Sequence, residues 1–152
     1  MPRVRRLLPA LLAAAAGACA YGSEPTTYMP PAPPKLASEY VLRTVSGRAL
    51  PARYLQLNVR VYRVHTDTLR FDTTAATFRE SALIGGRDTT AAVEESVVPR
   101  TAGPLPFTRP AANEVQLANF LGLGRATATI FEGGLTVLAV GQRFQYGRLD
   151  RD

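Results

Sequence analysis

The sequence predicts an all-β domain, a sandwich or a barrel, carried behind an export signal. Short period-2 segments recur from Ser38 onward, broken by Gly, Pro and Asp roughly every eight to twelve residues. No long 3.6-residue apolar stripe competes with them. The 115 residues from Ser38 to Asp152 suffice for one core and not for two.

The first element is an address rather than a strand. Arg3, Arg5 and Arg6 precede an apolar run through Leu11-Leu12-Ala13-Ala14-Ala15-Ala16, which ends in Gly17-Ala18 and the only cysteine, Cys19. A basic region, a short apolar region and a small-residue cleavage site make residues 1–18 a secretory signal. The run is too short for a membrane-crossing helix, which needs about 20 apolar residues. Two cleavage readings stand. Ala16-Gly17-Ala18-Cys19 resembles the lipobox of bacterial lipoproteins, which implies acylation of Cys19 as the first mature residue, although that family prefers leucine where Ala16 stands. Alternatively, ordinary signal peptidase cuts at Ala16-Gly17-Ala18 or at Ala18-Cys19-Ala20. An unpaired thiol in an oxidising compartment is reactive, and acylation removes it, which favours the first reading.

Residues 19–37 hold Pro25, Pro30, Pro31, Pro33 and Pro34 without apolar periodicity, so they read as a tether in polyproline II. Fully extended, it spans roughly 50 Å. A proline-rich ligand for a binding module is the alternative. The formal charge of +6 falls to +3 without Arg3, Arg5 and Arg6, which leaves 15 basic residues against 12 acidic. Lys35 is the sole lysine and the arginines are dispersed, so no nucleic-acid footprint is expected.

The domain, residues 38–152, opens with a strand over Tyr40–Val45, closed by Ser46-Gly47 and Pro51. Leu55, Leu57, Val59 and Val61 alternate with polar neighbours through Tyr62 and predict one half-buried strand, with a bulge at Arg63-Val64. His65-Thr66-Asp67-Thr68 leads into a strand with Leu69 and Phe71. Asp72-Thr73-Thr74 turns the chain into a strand over Ala76–Ile84, and Gly85-Gly86-Arg87-Asp88 turns it again into a strand over Thr89–Val98. Pro104, Pro106 and Pro110 make Arg100–Ala112 a loop or a broken edge, with Leu105 and Phe107 able to fold inward. Val115 and Leu117 form a short strand, and Asn119–Gly124 a connection. Three strands follow in a meander, Arg125–Phe131, Leu135–Val140 and Arg143–Leu149, with Glu132-Gly133-Gly134 and Gly141-Gln142 as the tight turns. In a closed meander the last strand pairs with the first, around Tyr40–Val45.

Catalytic and metal signatures are thin. His65 is the only histidine, and a triad of His65, Asp67 and Ser81 would lack the Gly-x-Ser-x-Gly elbow. Glu94 and Glu95, adjacent on a strand, would point to opposite faces. The glycine pairs lack a phosphate-loop lysine. No enzyme, cofactor or metal is expected. The aromatic residues Tyr40, Tyr62, Phe71, Phe78, Phe131, Phe144 and Tyr146 fall in predicted strands, where they fill the core or line a cavity.

The order Tyr40-Val41-Leu42-Arg43-Thr44-Val45-Ser46-Gly47 with Leu50-Pro51, then Asp67-Thr68-Leu69, Gly134-Leu135-Thr136-Val137 and Phe144-Gln145-Tyr146, resembles small lipocalin-like bacterial lipoproteins of the Gemmatimonas type. The resemblance implies an antiparallel meander closed into a lipocalin-like barrel of about eight strands, and transfers no catalytic residue. A barrel of that size either fills with side chains or holds one small ligand. Two functions are therefore expected. One is a monomeric, lipid-anchored binding module of the cell envelope, on the periplasmic face of the outer membrane, taking an apolar small molecule or lipid among Tyr40, Tyr62, Phe71, Phe131, Phe144 and Tyr146. The other is a structural lipoprotein with a filled core that meets an envelope protein. An internal cavity of a few hundred Å³ would favour the first, and a buried ionisable pair would revive an enzyme.

Overall fold

A computed structural model describes residues 29–149. The expected signal at residues 1–18, Cys19 and the expected tether up to residue 28 lie outside the described residues. Every described strand belongs to the compact unit that begins at Ala32.

The fold is all-β, with a closed antiparallel barrel of eight strands and two extra strands. Around the barrel run β1 (Glu39–Val45), β10 (Gln142–Arg148), β9 (Gly134–Ala139), β8 (Ala126–Phe131), β7 (Glu114–Leu117), β6 (Ser96–Ala111), β5 (Thr77–Asp88) and β4 (Arg60–Asp72). Closure comes where Glu39, Tyr40 and Val41 of β1 pair with Arg70, Leu69 and Thr68 of β4. The other flank of β1 pairs with β10, Tyr40 opposite Arg148 and Val45 opposite Phe144, as the meander requires. The extra strands β2 (Arg48–Ala49) and β3 (Ala52–Leu57) hang on β1 and β4.

The C-terminal meander and the first strand form where their alternation places them. The middle of the chain differs from expectation in four places. Leu55 to Tyr62 is not one strand. A hairpin turn at Asn58-Val59 splits it into β3 and β4, and leaves Leu57 and Val59 55% and 42% exposed. Two strands whose ends carry the same alternation read continuously when Asn58 supplies a positive φ without a glycine. His65 to Thr68 lies inside β4, whose register slips between Val64 and Thr66, next to the expected bulge. Gly85 to Asp88 is not a turn but the end of β5, paired with Arg63 to Arg60. The residues from Thr89 to Glu95 form the connection instead, and β6 starts at Ser96.

The largest difference is the proline-rich segment, which is part of β6, the longest strand described. Its prolines are tolerated because β6 is paired on one flank at a time. Ser96 to Pro106 pairs with β5, and Phe107 to Ala111 with β7. A residue missing its N–H can sit in a strand wherever that side has no partner. The chain switches sides next to a bulge, where Gly103-Pro104 face Arg79 alone. Gly103 has φ near 110°, and a Cβ there would come within 2.6 Å of the Phe78 carbonyl, so the bulge requires glycine.

Candidate functional site

Alternation turns Phe71 of β4, Phe78 of β5, Phe107 of β6, Phe144 and Tyr146 of β10 and Tyr40 of β1 into the barrel. Toward the end where the tether joins, Phe71 is the hub. Its ring centre lies 5.9 Å from Tyr40, 6.0 Å from Phe78 and 5.3 Å from Phe107. Toward the other end Phe120, from the connection between β7 and β8, is fully buried with its ring 5.0 Å from Phe144 and 6.4 Å from Tyr146. Tyr54, in a bulge of β3, packs edge-on at 6.1 Å from Phe144. Side chains fill the barrel along its axis, and apart from the tilted Phe71–Phe78 pair the rings meet in edge-to-face contacts worth about 0.5–1.5 kcal/mol each beyond burial.

Of the six aromatic residues expected at a ligand site, Tyr40, Phe71, Phe144 and Tyr146 stand in this packed interior. Tyr62 is half-buried against it. Phe131 is not brought together with them. It is 44% exposed on the outer face of β8, over Gly134 of β9, where a Cβ would also come within 2.5 Å of the Tyr146 carbonyl. An aromatic ring covering a bare strand glycine is a local packing device.

Between the two aromatic layers sits a polar cluster. Asp67 and Glu80 are 0% and 2% exposed. Asp67 stands opposite Ala82, and Ala82 opposite Arg100, so the three span β4, β5 and β6 with Glu80 diagonal to both ends. Arg100 Nη1 donates to Glu80 Oε2 at 2.5 Å, and the Leu121 N–H donates to Glu80 Oε1 at 2.9 Å. The Tyr146 hydroxyl donates to Asp67 Oδ2 at 2.5 Å, while Asp67 Oδ1 is buried with no partner. Burial raises the pKa of both carboxyls. The Glu80 charge pushes Asp67 further, well above the carboxylate range, against the partial relief of the Tyr146 hydrogen bond. Burial and the Asp67 carboxyl likewise hold the Tyr146 phenol well above its ordinary range. Asp67 is thus kept neutral, whereas Glu80 has the donors an anion needs.

The cluster works as a latch. Glu80 holds the backbone of the connection that carries Phe120 into the barrel, and Leu121 adopts φ near 49° to present its N–H. The sequence reading has Asp67 in the approach to a strand and does not single out Glu80, Arg100 or Phe120. A signal was present: Glu80 occupies the inward register of Phe78, Ala82 and Ile84, and Asp67 that of Leu69 and Phe71.

The imagined triad is not assembled. Asp67 points inward, Ser81 outward, and His65 sits in the β4 bulge with Nε2 3.5 Å from Glu95 Oε1 above Gly85. Glu94 and Glu95 belong to the connection before β6 rather than to a strand. Among the described residues no three His, Cys, Asp or Glu side chains gather as metal ligands. No described helix is long and apolar enough to cross a membrane. Clefts on the outside of the described residues include one of about 250 Å³ on the β4, β5 and β6 wall and one of about 810 Å³ between residues 32–36 and the β6–β7 turn. Comparison with family models, curated proteins and solved structures found no match.

Proposed function

We propose that this chain is a lipoprotein of the cell envelope, acylated at Cys19, whose barrel works through its outer wall as an interaction module. The filled interior carries this reading: rings from β1, β3, β4, β5, β6 and β10 meet around Phe71, Phe120 and Phe144, and leave a ligand the outside. The lone cysteine after a small-residue run supports the anchor. Anchoring is tested by fractionation. The wild type should sediment with membranes and the Cys19→Ser chain should be soluble. A soluble wild type beginning at Tyr21 by mass spectrometry would overturn the anchor.

A second reading, an apolar ligand inside the barrel, is favoured by one observation. Phe120 enters the barrel from a connection rather than a strand, and the carboxylate of Glu80 is what holds that connection. If the connection swung out, the vacated space would be lined by Phe144 and Tyr146. A fluorescent fatty acid titrated into the Cys19→Ser chain separates the two. Under the first reading there is no saturable binding, and stoichiometric binding strengthened by Phe120→Ala would establish the second.

A further inference from the structure

The outer face of β4, β5 and β6 carries a pair of charges that the fold alone does not account for. Arg70 and Arg79 stand directly opposite each other across β4 and β5, both turned outward because Leu69, Phe71, Phe78 and Glu80 take the inward register. Like charges at opposed positions destabilise a sheet. Arg70 is partly balanced by Glu39 Oε1 at 3.2 Å. The Arg79 side chain has no hydrogen-bond or ion-pair partner among the described residues. Asp72, the next outward carboxylate on β4, is occupied in accepting the N–H groups of Thr74 and Ala75. The carboxylate of Glu80 is inside, on Arg100.

Beside this pair the wall is hollowed rather than flat. Thr68, Ser81 and Thr101 lie side by side across the three strands on the same outward face, opposite one another in register. With Arg70, Arg79, Glu80, Ala102 and Gly103 they line the cleft of about 250 Å³, where the Glu80 side chain itself is fully buried and held by Arg100. Gly103 keeps it open, since it has no side chain to lay over Arg79. Two guanidinium forks and three hydroxyls offer more donors than a carboxylate has oxygens to accept. A tetrahedral oxyanion uses them better, and arginine binds phosphate in a two-pronged fashion. The cleft exceeds a bare phosphate in volume, so a substituent can follow it in.

We infer that this cleft is a binding site for a phosphate group, held by Arg79 and Arg70 with the hydroxyls of Thr68, Ser81 and Thr101 beneath. The inference rests on the reading that the barrel works from its outer wall, and supplies the chemistry recognised there. The phosphate belongs either to a soluble ester or to a lipid headgroup. Arg70 and Arg79 lie near the end of the barrel where the tether joins, so a headgroup in the anchoring membrane is within the geometry of the second source.

The Cys19→Ser chain tests it with two probes. Inorganic phosphate is titrated while the thermal midpoint and the arginine side-chain NMR signals are followed. Phosphatidylcholine vesicles with and without phosphatidic acid are used for flotation. Phosphate should raise the midpoint saturably, and Arg79→Gln should weaken binding by about tenfold or more, while Arg125→Gln at the opposite end should not. Flotation that requires phosphatidic acid and is lost in Arg79→Gln assigns the headgroup source. Phosphate binding without flotation assigns the soluble one. If neither probe binds, or if Arg79→Gln binds as well as the wild type, the site is overturned. The fatty-acid titration reports separately on the outer-wall reading, because it senses the interior and not the cleft.

Discussion

At Asp67 a buried carboxyl receives one hydroxyl donor and has its second oxygen unpartnered, so its proton is held more tightly in the folded chain than in the unfolded one. Glu80 is displaced in the same direction. A raised folded pKa contributes stability that is present below the unfolded carboxylate range and lost as pH rises through the folded value. Asp67→Asn abolishes that titration, so the variant should gain on the wild type as pH rises from about 4 toward neutrality. Urea midpoints across that window check it, and a constant difference would mean that Asp67 titrates as an exposed carboxyl. Glycine substitutions sort by surroundings in the same way. Gly103→Ala drives a Cβ into the Phe78 carbonyl and should cost about 1–3 kcal/mol. Gly141→Ala meets open space and should cost about 1 kcal/mol for its left-handed φ alone.

In β10 and just past it, one residue is buried in the core and another lies at the surface. Phe144 is fully buried against Phe120 and Tyr54, while Leu149, just past the strand, is 37% exposed. Phe144→Ala should therefore cost about 3–5 kcal/mol and Leu149→Ala less than about 1 kcal/mol. Equal urea midpoints for the two would contradict the packed interior. The strands β8 to β10 were legible because each pairs along its whole length and is divided from the next by a glycine turn. Strand β6 was not. Proline argues against a strand hydrogen-bonded on both sides, and the sequence holds no mark of a strand that trades one neighbour for the other halfway along. The β3–β4 hairpin was hidden for a simpler reason, since its turn uses Asn58 and Val59 and leaves the apolar alternation unbroken. The latch escaped notice because a lone Glu80 in an apolar register acquires meaning only once Arg100 and Leu121, distant in sequence, arrive beside it.

For the molecule as a whole, the boundary between tether and barrel lies earlier than Ser38. Leu36 and Ala37 pack on the core, and the Ala37 N–H donates to the Tyr40 hydroxyl at 2.8 Å. A chain beginning at Ser38 should thus be less stable than one beginning at Ala32 by about 1 kcal/mol, seen as a thermal midpoint lower by about 4 °C. Equal midpoints would show that these contacts contribute nothing. The same arrangement decides how the domain meets a mechanical load. Tension arriving through the tether passes into β1 along its length, and β1 is clamped by β10 on one flank and by β4 on the other. Its hydrogen bonds on both sides must slide and fail together in shear, rather than peel one after another as at a free edge. A pull applied through the residues ahead of β1 thus meets the barrel at its closing seam.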